Sequence, residues 1–227
     1  MKKFLALMFL TGIVANVLAQ ESETRNIGSF TGVKVSQGID VYLTKGSKES
    51  VKVEVVGTSL SNVLTDVSGS YLKVRMKDGN YHGRVDAKVY VTYTKIEKLS
   101  ASSAGSIYTQ GVLESSNLEI SSASAGNVEV EVTSESISAS ASSAGEIEIK
   151  GKTANFSADV SSAGEIDAYD LESKSVSVES SSAGSAKVNV ADALVANASS
   201  GGSIRYRGNP SKSITNSSSG GSVKKSN

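Results

Sequence analysis

Four carboxylates in the middle of the chain have the residue types and the spacing to bind a cation. Glu146 and Glu148 follow a Ser-Ser-Ala-Gly phrase, and Glu165 and Asp167 follow the same phrase nineteen residues later. Carboxylate oxygens are preferred ligands of Ca²⁺, so the sequence suggests a weak calcium site at these residues. Carboxylates two positions apart on one strand are roughly 7 Å apart, which is wide for one ion and predicts millimolar affinity at best. A solvated acidic stripe that keeps the protein soluble is the simpler interpretation.

The sequence lacks the residues that acid–base and nucleophilic catalysis need. A nucleophilic Ser or Cys requires an oriented base, but the chain has no Cys and a single His, His82, in the turn-like stretch DGNYHGR. Zinc sites need clusters of His and Cys, and neither the calcium-binding Gly-Gly-x-Gly-x-Asp repeat nor a phosphate-binding loop occurs. We therefore predict a non-enzymatic protein with no catalytic residues, no cofactor and, apart from the weak calcium hypothesis, no metal.

The eight tyrosines offer a different kind of chemistry. Tyrosine rings can stack on sugars, which makes a carbohydrate-binding or carbohydrate-cleaving β-helix protein the alternative function. Most of these tyrosines, however, alternate with apolar residues along strand-like segments, as they do on the half-buried surface of a sheet. A carbohydrate-cleaving solenoid also needs groove walls, and the short segments between the repeats leave no room for them.

A repeat of nearly constant spacing must position all of these residues. A phrase of small residues ending in Gly recurs at intervals of 18 to 21 residues, and apolar residues alternate with polar ones between the phrases, which is strand periodicity. A coil this short cannot bury an apolar face alone, so it must stack about 4.8 Å from the next coil. The sequence therefore predicts an all-β fold, a right-handed parallel β-solenoid with coils of about 19 residues. The final glycines of the phrases are Gly105, Gly126, Gly145, Gly164, Gly184, Gly202 and Gly221.

Each phrase is expected to form a tight corner between strands. We predict that its Gly adopts a positive φ, where a Cβ would be strained, and that the small Ala and Ser allow the corners to stack. In this register Glu129, Glu148 and Asp167 form one outward column, which Lys187 and Arg205 continue. A β-sandwich of hairpins is the alternative fold, but the repeat region has no Asn-Gly or Asp-Gly hairpin turn.

The chain divides into three segments. Residues 1–19 combine two Lys, an apolar run and small residues near the end, which predicts a cleaved secretory signal peptide. Residues 20–95 hold five alternating, strand-like stretches, and we predict a β-rich N-terminal cap, continuous with the solenoid, that covers its open strand edges. Residues 96–227 carry the repeat and form the solenoid itself. A separate binding domain is the alternative interpretation of residues 20–95.

One stretch of the second segment resembles a known family. The sequence FTGVKVSQGIDVYLTKG, residues 30–46, followed by further strands and the repeat, resembles the auto-transporter adhesin, head GIN domain family. The family has a Gly-Ile-Asn motif where this chain has Gly38-Ile39-Asp40, and either Asn or Asp can accept backbone hydrogen bonds at a turn. The resemblance runs from about residue 27 to the end. It implies an all-β exported protein of a type common in Bacteroidetes, and it brings no catalytic residues with it.

These features predict an exported structural or interaction protein, adhesin-like, at the periplasm, the outer-membrane surface or outside the cell. The 23 basic and 23 acidic residues balance, which gives no reason to expect nucleic acid as a partner. We expect a surface, protein or glycan partner, and no membrane insertion once the signal peptide is cleaved. Lys224 and Lys225 are the only guard on the last strand edge, so that end is open to end-to-end self-association.

Overall fold

The structure is a computed structural model that describes residues 20–81 and 84–226. The predicted signal peptide, residues 1–19, and His82 lie outside the described residues. The described residues form seventeen strands and a 3₁₀ turn, Leu60–Asn62, and contain no helix with the length and apolar character to cross a membrane. The strands are β1 Glu21–Arg25, β2 Gly32–Val35, β3 Asp40–Lys45, β4 Ser50–Val56, β5 Val63–Ser68, β6 Tyr71–Met76, β7 Asp86–Tyr93, β8 Lys98–Ser102, β9 Ser106–Thr109, β10 Leu113–Ala123, β11 Asn127–Ser142, β12 Glu146–Val160, β13 Glu165–Ser180, β14 Ser185–Ala198, β15 Ser203–Arg207, β16 Lys212–Ser217 and β17 Ser222–Lys225.

From β8 onward the chain winds into a parallel β-solenoid. Each coil has a first leg that follows the corner and a second leg that leads to the next corner, and equivalent legs pair in parallel from coil to coil. In the first legs, for example, Val128 lies beside Ile147, which lies beside Ile166. The prediction of an all-β parallel solenoid with coils of about 19 residues is confirmed.

Residues 20–95 continue the parallel stack and end in antiparallel strand pairs. Strands β2 and β3 pair in parallel with β8 and β9, and β6 and β7 pair in parallel with β2 and β3. Beyond them, β4 pairs antiparallel with β7, β1 with β4, and β5 with β6. Arg25 joins the two outermost strands, because its guanidinium lies 2.6 Å from the carbonyl oxygen of Val63 and 2.8 Å from that of Leu60.

The corners of the solenoid differ from the prediction in one respect. The glycine that ends each phrase does not have a positive φ; the two residues before it do, with φ of 50° at Ser143 and 59° at Ala144. Glycine is required for a steric reason instead. A Cβ on Gly145 would lie 2.4 Å from the carbonyl oxygen of Ser122 in the preceding coil, so only a bare backbone allows the coils to approach. The predicted glycine conformation is therefore wrong.

A hydrogen bond between coils offsets the cost of these left-handed residues. The amide of Ala144 donates to the carbonyl oxygen of Ser162 in the next coil, at 3.2 Å. The Gly38-Ile39-Asp40 stretch forms the equivalent corner of the β2–β3 coil, because Asp40 pairs with Ser106 and the amide of Gly38 donates to Ser103 at 3.1 Å. This stretch is thus the first corner of the same ladder.

Alternate residues of each leg point inward and form columns of stacked side chains. One such column is fully apolar and at most 3% exposed: Leu118, Ile137, Phe156, Val176 and Leu194. Another contains two buried serines, Ser122 and Ser180, among Ala101, Ala141, Val160 and Ala198. The Ser180 hydroxyl donates to the carbonyl oxygen of Gly184 at 2.8 Å. Within residues 20–81 and 84–226, the buried Ser122 hydroxyl has no hydrogen-bond partner.

Candidate functional site

The outward side chains of the first legs form a continuous surface along the solenoid, which we call the axial face. Its central column lies three positions after each corner glycine, and the strand registers place its members on successive rungs. Aromatic residues come first, then acidic residues, then basic residues. In stacking order the column is Tyr90, Tyr42, Tyr108, Glu129, Glu148, Asp167, Lys187, Arg205 and Lys224.

The aromatic part of the axial face is a stack of three tyrosine rings. The ring of Tyr42 stacks on those of Tyr90 and Tyr108, with 5.3 Å between centroids in both pairs. The ammonium group of Lys52 lies 5.9 Å from the centroid of Tyr90, and the two stacks cover both faces of the Tyr42 ring and one face of each outer ring. Burial, and then the charge of Asp40, raise the pKa of Tyr42, which keeps this hydroxyl protonated. Sugar stacking would need exposed ring faces, and this column does not favour it.

The four carboxylates named as calcium ligands lie on adjacent rungs, as the predicted register requires. Glu146 pairs with Glu165, and Glu148 pairs with Asp167. With Asn127 and other residues they line a shallow depression of about 260 Å³. Among the described residues, however, no group of three or more His, Cys, Asp or Glu side chains has the geometry to hold a metal ion.

Two lysines supply the positive charge that the calcium hypothesis assigned to an ion. The Lys187 ammonium lies 2.9 Å from an Asp167 oxygen and 3.0 Å from a Glu165 oxygen. Lys150 lies 2.6 Å from Glu148. Hydrogen bonds to Asp167 and then to Glu165 raise the pKa of Lys187, so this bridge is charged at neutral pH. Ca²⁺ would have to displace lysine from three of the four predicted ligands. Of the four, only Glu146 has no cationic side chain within 4 Å in the described part of the chain.

The basic part of the axial face continues to the last coil. After Asp192 the sequence has five basic residues and no acidic ones. Arg207, on the edge of the face, lies over the ring of Tyr169 at 4.0 Å from its centroid, and the Tyr169 hydroxyl is 2.7 Å from that of Ser226. These contacts tie the last coils to the middle of the solenoid and hold the Arg207 side chain in place.

A second surface feature, which sequence reasoning missed, lies where the two legs of the coils join. A recess of about 620 Å³ has Val190, Ala191 and Ala154 in its lining and Lys152 and Lys174 among its charged residues. It coincides with an uneven repeat, because the step from Gly184 to Gly202 is 18 residues and the step before it is 20. The register shifts at this place, with Ser173 beside Val190. The uneven steps were the only signal in the sequence.

Comparisons with known proteins agree on the fold. Residues 29–210 match the family described as "Putative auto-transporter adhesin, head GIN domain". A crystal structure of a "putative adhesin" from Bacteroides fragilis has a TM-score of 0.79 at 18% identity, over 92% of this chain and 97% of its own.

Two crystal structures from Parabacteroides distasonis also cover 92% of this chain and 97% of their own. One, a "putative adhesin", has a TM-score of 0.74 at 19% identity. The other, a "putative lipid binding protein", has a TM-score of 0.70 at 22% identity. At these identities the likeness concerns the fold alone. No curated protein matches the chain in sequence.

Proposed function

The chain belongs to the family described as "Putative auto-transporter adhesin, head GIN domain". On this basis we propose that it is an exported, non-enzymatic, adhesin-like protein that binds its partner at the cell envelope through the axial face. Family membership supports the adhesin-like role. Export rests on the signal-peptide pattern of residues 1–19, and the absence of catalysis rests on the residue types of the sequence.

The observation that carries the proposal is the charge pattern of the axial face. Successive rungs of a sheet are about 4.8 Å apart, so the central column holds like charges at fixed spacing on a rigid support. Charge complementarity of this kind guides encounter and register more than it adds affinity. An extended, charged partner, such as a surface polymer or a strand-like protein segment, fits such a pattern.

The experiment compares two variants that lose the same charge from different faces. The first carries Glu129→Gln, Glu148→Gln and Asp167→Asn on the axial face. The second carries Glu119→Gln, Asp159→Asn and Glu179→Gln, which are exposed on the second legs. We expect labelled protein to bind envelope fractions of the source organism, and the first variant to bind about tenfold more weakly at low salt.

The second variant should bind as the wild type does. Equal losses in the two variants would show that net charge, rather than the axial face, controls binding. Turnover in a reducing-sugar assay would replace the proposal with the carbohydrate-cleaving alternative, and selective binding to one oligosaccharide on a glycan array would favour the carbohydrate-binding one.

The recess supports a second candidate function, the binding of a small amphiphilic ligand. Its volume of about 620 Å³ lies within the range of small-molecule sites, its lining combines the apolar residues Ala154, Val190 and Ala191 with polar and charged ones, and one protein of the same fold is named as lipid binding. Displacement of a fluorescent fatty-acid probe would test it. Ala191→Glu, at an exposed position of the lining, should abolish probe binding; a wild-type protein that does not bind the probe excludes this function.

A further inference from the structure

Two blocks of opposite charge lie next to each other on the axial face. The acidic block is Glu129, Glu148 and Asp167, and the basic block is Lys187, Arg205 and Lys224. The blocks have equal length, and the boundary between them falls between the rungs of Asp167 and Lys187. A column with this pattern is complementary to its own reverse.

We propose that the axial face is a self-association surface, on which two copies of the chain pair face to face with their solenoid axes antiparallel. A twofold axis along the strand direction, placed between the Asp167 and Lys187 rungs, reverses the order of the rungs in the second copy. Such an interface is isologous, so each contact occurs twice. The acidic block of each copy then faces the basic block of the other.

The pairing follows rung by rung from the register. Asp167 of one copy faces Lys187 of the other, and because Lys187 also bridges Asp167 and Glu165 of its own chain, the central contact shares this lysine between the two copies. Glu148, which Lys150 of the same chain contacts, faces Arg205. Glu129 faces Lys224. Each copy contributes three acidic and three basic side chains, which gives six opposed pairs.

The column one position after each corner glycine fits this arrangement. On the acidic half it carries Glu146 and Glu165, and on the basic half it carries Ser185, Ser203 and Ser222. The same twofold axis places the long acidic side chains opposite these serines. This column therefore brings no like charges together, and the serine hydroxyls can donate hydrogen bonds to the carboxylates.

The column five positions after each corner glycine contains the one unfavourable pair, Lys150 opposite Arg207. Each of these cations is held within its own chain. Lys150 lies 2.6 Å from Glu148, and the Arg207 guanidinium lies 4.0 Å from the centroid of Tyr169. The repulsion is thus confined to the margin of the interface.

The size of the face predicts a weak, charge-driven dimer. Six rungs at about 4.8 Å and five residues at about 3.3 Å give roughly 450 Å² per copy, about half of what a stable interface buries. Ions screen exposed charges beyond a Debye length of about 10 Å at 0.1 M salt. Association should therefore weaken as salt rises, whereas the end-to-end association expected at Lys224 and Lys225 should strengthen when salt screens their repulsion.

Charge reversal on each block tests the proposal. The acid-to-lysine variant carries Glu129→Lys, Glu148→Lys and Asp167→Lys, and the base-to-glutamate variant carries Lys187→Glu, Arg205→Glu and Lys224→Glu. Sedimentation velocity of the purified wild type should show dimers at about 0.02 M NaCl and a dissociation constant at least about tenfold higher at about 0.5 M NaCl. Each variant alone should be monomeric, because both of its blocks then have the same sign.

An equimolar mixture of the two variants should form a heterodimer at low salt, since a wholly basic face then meets a wholly acidic one. Damage to the fold cannot produce this rescue. A matched control, Glu119→Lys, Asp159→Lys and Glu179→Lys on the second legs, should self-associate as the wild type does. A wild type that is monomeric at low salt, a mass that rises with salt, or a mixture that stays monomeric would each overturn the proposal. The second copy and an envelope partner compete for the same axial face. Because no envelope partner takes part in this test, its failure leaves the adhesin-like role standing.

Discussion

Ser122→Ala is expected to stabilise the protein, although most substitutions in a core destabilise it. Ser122 is 1% exposed, and its hydroxyl has no hydrogen-bond partner within the described residues. Its neighbours in the same inward column are Ala101 and Ala141, so alanine already fits the coils on either side. The substitution removes a buried polar atom and keeps the Cβ in place.

The magnitude follows from two opposing terms. A buried hydroxyl without a partner costs about 1–3 kcal/mol in mutational studies. Loss of one oxygen atom leaves a small void, which costs a few tenths of a kcal/mol at about 24 cal/mol per Å³. We expect a net gain of about 1 kcal/mol, which is about 2–4 °C in melting temperature for a protein of this size.

Ser180→Ala is the matched control, because Ser180 occupies the same column and is 2% exposed. Its hydroxyl donates to the Gly184 carbonyl at 2.8 Å. That carbonyl keeps a second hydrogen bond from the amide of Ser203, so the loss should be about 0.5–1.5 kcal/mol. Urea unfolding followed by circular dichroism should move the two midpoints in opposite directions at an unchanged slope. If Ser122→Ala instead lowers the midpoint as much as Ser180→Ala does, the Ser122 hydroxyl has a partner and the reasoning is wrong.

Two further predictions concern a corner and the bridge on the axial face. Gly145→Ala should lower the free energy of unfolding by several kcal/mol, because its Cβ would lie 2.4 Å from a backbone oxygen of the preceding coil. Ala144→Gly, at φ 59°, should change stability by less than about 1 kcal/mol. Urea midpoints that fall equally in the two variants would refute the steric role of the glycine. Hydrogen bonds to Asp167 and then to Glu165 raise the pKa of Lys187 in the folded protein above its unfolded value of 10.5. The bridge therefore stabilises the fold fully at pH values below 10.5, and this stabilisation is lost as pH rises through the folded pKa. The stability advantage of wild type over Lys187→Met should therefore be constant from about pH 7 to 10 and shrink above pH 10.5; an advantage that is unchanged at about pH 11.5 would exclude the bridge as its source.

The repeat predicted the solenoid because spacing alone determines which residues stack. Constant steps between the glycines place Glu129, Glu148 and Asp167 on successive rungs, so this column follows from the sequence alone. The conformation of the corner does not. Spacing does not show which of the small residues has a positive φ. Ser143 and Ala144 adopt it, and the hydrogen bond from the Ala144 amide to the next coil stabilises this conformation.

The aromatic part of the axial face escaped prediction for a different reason. Tyr42 and Tyr90 lie outside the repeat, and their rung is set by the pairing of β3 with β7 and β9, for which the sequence has no marker phrase. The recess at Val190 depends on a register shift of the kind that a near-regular pattern conceals. Spacing places Lys187 at the end of the acidic column, as predicted. It does not give the direction of the long side chain, which brings the ammonium back to Glu165 and Asp167.

The enclosed position of the β2–β3 coil imposes an order of events on folding. Val33 pairs with Leu72 on one side and with Leu99 on the other, so this coil is complete only after the chain has been made as far as β9. Contacts so distant in sequence are the slow ones to form. Each later coil needs only the coil before it and can add by nearest-neighbour growth. We therefore expect closure of the N-terminal coils to be slow and the later repeats to add to them one coil at a time.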